Sequence, residues 1–342
     1  MLKGEGTLNP STTGVTPVPE VPGIPGLAFR RFRGAIDFPG MAAVMNASLA
    51  ADLDGERHTV EELANAYAHP VNCDPQQDTL YAEADGMLTG YAGTEWRQED
   101  DGACLHHINV YLPPEWRGRG LELAMQRIME CRARAVAAEG PDGACHAFAS
   151  MVPETWHART AMLLAEGYVP ARRYYLMQRS LDGDLPVVPL PPGLEFRPAL
   201  PEHFRAIWEA DEECFSDQRD HVAPSEENYQ GWVTTPGLDP SLWVVAWDGD
   251  QVAGGVISVA YNSEGGERDT WGETDDLFVR RPWRRRGLGR ALVAATLHLF
   301  KARGLVIAGL GVDAENVTGA PRLYEGLGYR VYQRLELYRK PM

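Results

Sequence analysis

From Leu194 onward the apolar residues fall in short runs separated by turn-forming residues, the pattern of strands interleaved with helices. Leu194–Ala199 predicts a strand, with helical segments from about Pro201. Two apolar runs, Leu242–Asp248 and Gln251–Ala260, flank Asp248-Gly249-Asp250, which predicts a hairpin. A further strand is expected over about Glu273–Val279. Leu288, Leu292, Ala295 and Leu299 share one helical face and Gly304 supplies a stop, so a helix is predicted over 288–303. Leu305–Val312 reads as a buried strand, Thr318–Leu327 as a helix and Arg330–Lys340 as a closing strand.

The first half follows the same plan. Leu27–Phe32 opens it, helices run to about Tyr67, and Asp78–Gly86, Met87–Gly93 and Cys104–Leu112 read as strands. A helix from about Leu121, the strand His146–Ser150, another helix and the strand Arg172–Leu181 complete it. The chain is therefore read as an internal duplication. A Pro-rich stretch, residues 183–193, is the expected linker between domains 27–182 and 194–342. Residues 1–26 lack hydrophobic periodicity and are expected to form a disordered or loosely docked tail.

Composition narrows the function classes. No apolar run approaches the ~20 residues of a membrane helix, and the N-terminus has no secretory core. Five scattered cysteines without a C-x-x-C pair argue against a disulfide framework or a metal site. These features point to a cytoplasmic protein. A formal net charge of −16 disfavours nucleic acid as a partner. Against that background Arg280–Arg290, "RRPWRRRGLGR", is a dense basic run, readable as a solvated loop or as the seat of a local anion.

The run sits between the Glu273–Val279 strand and the helix starting near Leu288. A helix N-terminus presents unpaired N–H groups, and glycines let them approach an anion closely. Arg284-x-x-Gly287-x-Gly289 in this setting resembles motif A of the GNAT superfamily of acetyl-CoA-dependent N-acetyltransferases. "NVTGAPRLYEGLGYR", Asn316–Arg330, resembles the second signature of that family. The resemblance covers most of Leu194–Met342. It implies an α/β (α+β type) fold of two GNAT-like domains, each a mixed, mostly antiparallel sheet flanked by helices.

The resemblance also implies roles. The backbone of Leu277, Phe278 and Val279 would pair with the pantetheine arm of acetyl-CoA. The amides of Arg285, Arg286, Gly287, Leu288, Gly289 and Arg290, with Arg284 and Asn316, would hold the pyrophosphate and its loop. Asn316 is equally readable as a turn or N-cap residue. Tyr324 would protonate the departing thiolate, a role that suits a phenol. Glu273, eleven residues before Arg284, matches the general base of several members. Asp275 and Asp276 lie close by, and strand alternation puts Glu273 and Asp275 on one face and Asp276 on the other. The other reading of Glu273 is a solvated strand end. No metal site is indicated.

The first copy departs at each of these positions. Arg117-x-x-Gly120-x-Glu122 puts a carboxylate where Gly289 stands, Leu163 takes the place of Tyr324, and His106 that of Glu273. The first domain is therefore expected to be non-catalytic. The expected activity is acetyl transfer to a primary amine of a small acceptor. The acidic segment Glu209–Trp232 would favour a cationic acceptor, unless it is only a solvated surface. The alternative class is a non-catalytic acyl-CoA-binding or scaffold protein.

Overall fold

The computed structural model describes residues 22–52, 57–99, 102–139, 145–216, 224–261, 271–316 and 318–342. Most of the expected tail and the centre of the acidic segment lie outside these residues.

The chain forms two compact units that are interleaved along the sequence. One holds the residues up to Ala171 together with Glu336–Met342, the other Arg172–Leu335. The first contains β1 (Leu27–Arg30), α1 (Phe38–Ala51), α2 (Val60–Ala68), β2 (Thr79–Ala84), β3 (Met87–Gln98), β4 (Cys104–Tyr111), α3 (Leu121–Glu139), β5 (His146–Pro153) and α4 (His157–Ala165). Next comes β6 (Val169–Ser180), most of which belongs to the second unit. That unit adds β7 (Glu195–Arg197), α5 (Phe204–Phe215), α6 (Glu226–Val233), β8 (Val244–Asp248), β9 (Gln251–Tyr261), β10 (Trp271–Val279), α7 (Leu288–Ala302), β11 (Ile307–Asp313) and α8 (Ala320–Glu325). The last strand, β12 (Arg330–Pro341), ends in the first unit.

Each half of the chain thus gives its closing strand to the other unit. Arg172–Ser180 pairs antiparallel with β11, from Asp313↔Tyr174 to Ile307↔Ser180. The end of β12 serves the first unit: Arg339 forms a two-toothed ion pair with Glu99, and Lys340 Nζ lies 2.6 Å from Glu130. This differs from the division at residues 183–193 expected from sequence. A closing strand carries the same apolar pattern whichever sheet receives it, so the pattern does not name the recipient.

Within the first unit the strand order is β1-β2-β3-β4-β5-β12, and within the second β6-β11-β10-β9-β8-β7. Each sheet is mostly antiparallel with one parallel pair, β4 with β5 and β10 with β11. The second unit has an apolar core on each face of its sheet. One is built on α7 around Leu292, Leu297 and Phe300; the other is built on α5 around Phe204, Ile207, Ile257 and Phe278. α7 buries more than the stripe predicted for it, adding Ala291, Val293, Ala294 and Thr296, while Ala295 and Leu299 are only half-buried.

Candidate active site

The parallel pairing of β10 with β11 runs from Trp271↔Ile307 to Thr274↔Leu310 and stops there. β10 continues to Val279 on β9 alone, through Leu277↔Val256, Phe278↔Gly255 and Val279↔Gly254. The two strands therefore part, and the edge of β10 from Asp275 to Val279 faces the gap. An open strand edge offers N–H and C=O groups to an extended ligand.

The basic loop follows at the mouth of the gap. Trp283 anchors it, with Nε1 donating to Asp248 Oδ2 at 3.0 Å at the turn of the β8–β9 hairpin. Arg285 and Gly287 both take left-handed backbone conformations, at φ 61° and 87°, with Arg286 between them. Such alternation turns successive N–H groups toward one side and makes an anion-binding nest. Gly287 is the N-cap of α7 and makes no side-chain cap bond, so the first amides of the helix have no side-chain acceptor there.

The arginines of the run divide by task. Arg280 pairs with Glu213, Arg284 Nε donates to the Val279 carbonyl at 2.8 Å, and Arg290 donates to the Gly326 carbonyl at 3.2 Å. Arg285 and Arg286 are exposed at the rim of the nest, and no described residue pairs with them. Arg284 braces the strand end, and its guanidinium also reaches the Cys214 thiol. Asn316 orders the turn before α8, whose N-cap is Gly319: its Oδ1 accepts from the Thr318 amide at 3.0 Å and the Ala320 amide at 3.4 Å.

Tyr324 projects from α8 into the core beside Tyr329, 6% exposed, its ring 5.8 Å from that of Tyr329. Burial, with a lesser contribution from the Asp276 charge, raises its hydroxyl well above the usual phenol value. The phenol therefore keeps its proton at neutral pH.

The family of this site is visible in sequence comparison. Residues 204–329 match the Acetyltransferase (GNAT) family. Mycothiol acetyltransferases are similar over most of the chain. That of Thermomonospora curvata is 29% identical over 77% of this chain and 82% of its own length. That of Salinispora arenicola is 29% identical over 86% and 91%. Residues 204–329 thus resemble that family, and over most of its length the chain is similar to acetyltransferases. A GCN5-related N-acetyltransferase from Sphaerobacter thermophilus has a similar structure, at 27% identity and a TM-score of 0.69, covering 93% of this chain and 96% of that one. A tandem GNAT protein from the clavulanic acid biosynthesis pathway shares the fold at 16% identity and a TM-score of 0.62, over 92% and 98%. Acetyl-CoA is the acyl donor of such enzymes. The nest, the open edge of β10 and the unpaired Arg285 and Arg286 suit its pyrophosphate and pantetheine.

The first GNAT-like unit repeats this geometry and fills it. β4 and β5 pair from Cys104↔His146 to His107↔Ala149, again four positions, before β4 runs on to Tyr111. Gly118 and Gly120 hold the two left-handed positions, at φ 71° and 82°. Arg117 Nε donates to the Leu112 carbonyl at 3.0 Å, as Arg284 does to Val279. The Glu122 carboxylate, however, accepts from the Gly118 amide at 2.7 Å and is buried. An internal anion thus takes a nest amide. Leu163 is fully buried in the core at the position matching Tyr324. His106 packs against His146, Nε2 to Nδ1 3.1 Å, and burial lowers its pKa to about 4.

The acidic residues of β10 are placed by a bulge that strand alternation does not foresee. Glu273 faces Val259 and Thr274 faces Ser258, but the next partner of β9, Ile257, faces Asp276. Asp275 is the inserted residue. Asp276 therefore shares the face of Glu273, correcting the arrangement expected from strict alternation. Glu273 Oε2 accepts from Trp271 Nε1 at 2.5 Å and lies close over Gly309. Asp276 lies toward Tyr324 and toward Asp211 of α5, a residue that sequence reasoning treated only as part of an acidic segment. A helical residue facing inward amid apolar neighbours was its available signal: Asp211 follows Ala210 and lies four positions after Ile207, both buried.

Proposed function

We propose that this enzyme transfers the acetyl group of acetyl-CoA to a primary amine of a small acceptor by direct attack on the thioester. The proposal is supported chiefly by the conjunction of an anion nest, an open strand edge and a protonated buried phenol in one unit. The amides from Arg285 to Arg290 would hold the pyrophosphate. The backbone of Leu277, Phe278 and Val279 would hold the pantetheine in extended form, directing the thioester toward Tyr324. Tyr324 donates its proton to the sulfur as the C–S bond breaks, so that a thiol and not a thiolate departs. A carboxylate on the Glu273–Asp276 face receives the proton that the amine must lose to become a nucleophile. Relatives named mycothiol acetyltransferase make the mycothiol acceptor the first compound to assay.

The test is free-thiol release from acetyl-CoA with amines supplied to the purified full chain. Turnover is expected with at least one primary amine, and Tyr324→Phe should lower kcat by about 10²-fold or more, the scale of a lost general acid, with acetyl-CoA affinity within about twofold of wild type. Undiminished turnover in that variant would remove the phenol from the mechanism.

A further inference from the structure

The face of the second unit's sheet covered by α5 is apolar, built from Phe204, Ile207, Ala210, Ile257 and Phe278. Two carboxylates enter it. Asp211 of α5 is 9% exposed, and its Oδ1 has no hydrogen-bond partner among the described residues. Asp276 of β10 stands two residues before Phe278, on that face because of the bulge at Thr274–Asp276. The nearby cations are engaged elsewhere: Arg280 with Glu213, and Arg284 with the Val279 carbonyl and Cys214. A buried carboxylate oxygen without a donor is unfavourable, and such a group is retained where a ligand supplies the donor. The electrostatics agree: burial and the Asp276 charge raise the Asp211 carboxyl well above the usual range, and burial raises Asp276 to about 6. Asp276 in turn lies toward Tyr324, whose hydroxyl feels its charge.

The geometry points to Asp211 and Asp276 as the seat of the acceptor's amino group, with Asp211 supplying the unpartnered oxygen that receives an ammonium N–H and Asp276 taking the proton released before attack. This deepens the acetyl-transfer reading and rests on it. The acceptor enters as R–NH3+ and gives one proton to Asp276, leaving R–NH2. The nitrogen lone pair forms the N–C bond to the thioester carbonyl, and the C–S bond breaks. Tyr324 protonates the sulfur and recovers a proton from the acylated nitrogen, while Asp276 returns its own to water. The sum is one amide, one free thiol and one proton for each ammonium and thioester consumed. The acceptor class is thereby an aliphatic primary ammonium, in preference to an alcohol or a neutral aromatic amine.

Titration calorimetry with propylammonium, and with propanol as its uncharged counterpart, tests the seat without requiring turnover. The full chain is used, preloaded with CoA. Wild type should bind propylammonium and not propanol. Asp211→Asn and Asp276→Asn should each weaken that binding tenfold or more while leaving CoA affinity within twofold. In thiol-release assays Asp276→Asn should lower kcat about a hundredfold, and Asp211→Asn should act mainly on the amine KM. Propylammonium binding that is equal in wild type and Asp211→Asn, or absent in wild type, overturns the proposal. Loss of thiol release in wild type with ammonium binding intact instead removes the acetyl-transfer reading and keeps the cation seat.

Discussion

Arg285 holds a left-handed backbone, φ 61°, at the position where the first copy has Gly118 at φ 71°. A residue with a Cβ costs roughly 1 kcal/mol there relative to glycine. The second copy keeps this strain and gains an exposed guanidinium at the rim of the nest. Replacing Arg285 with glycine separates the two effects. Folding stability should change by less than about 1 kcal/mol, since relief of strain is offset by the freer unfolded chain. Acetyl-CoA affinity should fall about tenfold, the scale of one lost charge-assisted bond. Denaturant titration and calorimetry on the same variant check both halves. An unchanged affinity would assign Arg285 to the solvent, as most charge runs are.

At the scale of elements the two copies serve as controls for each other. Both have strands that pair over four positions and then part, both brace the strand end with an arginine, and both start a long helix from a left-handed glycine. They differ at the first turn of that helix, Glu122 in α3 and Gly289 in α7. A side chain at Gly289 meets only ordinary contacts, Leu323 at 3.5 Å and Val279 at 3.7 Å, so the fold tolerates one. Gly289→Glu should therefore fold normally, return its carboxylate to the Arg285 amide as Glu122 does to Gly118, and weaken acetyl-CoA binding by about 100-fold or more through close like charge. Circular dichroism with calorimetry reads this, and retained binding would show that the nest does not hold the diphosphate. The sequence made this comparison available because loop, helix start and glycine spacing are local features. Other features were not local. The acids of β10 could not be placed by alternation, because a bulge changes the face of every residue beyond it and leaves no composition mark in "ETDD". Glu122 was legible as a misplaced charge, whereas its bond to Gly118 depends on a side-chain rotamer. Asp211 stood among four acidic residues from Glu209 to Glu213, and only packing distinguishes the buried one.

For the molecule as a whole, acid and base act in opposite senses on its buried ionisable groups. In the first unit His106 is held neutral: burial, helped by the neighbouring His146 and His107, lowers it from 6.5 to about 4. Its folded pKa lies below the unfolded value, so its contribution is fully present above about pH 6.5 and is lost as pH falls toward 4, by at most about 3 kcal/mol. In the second unit Asp276 is raised from 3.8 to about 6. Its folded pKa lies above the unfolded value, so its contribution is greatest below about pH 3.8 and is lost as pH rises through 6. A net charge of −16 adds self-repulsion that grows with pH. Two variants separate these contributions in denaturant titrations between pH 4 and 8. His106→Leu should flatten the loss of stability on the acid side. Asp276→Asn should be more stable than wild type at pH 8, by about 1–3 kcal/mol, with the difference closing toward pH 4. An acceptor seat built from a buried Asp211 and a half-buried Asp276 has this signature, because a group kept for binding is held at the expense of folding. If Asp276→Asn is less stable than wild type at pH 8, the carboxylate is satisfied within the fold and leaves no place for a cation.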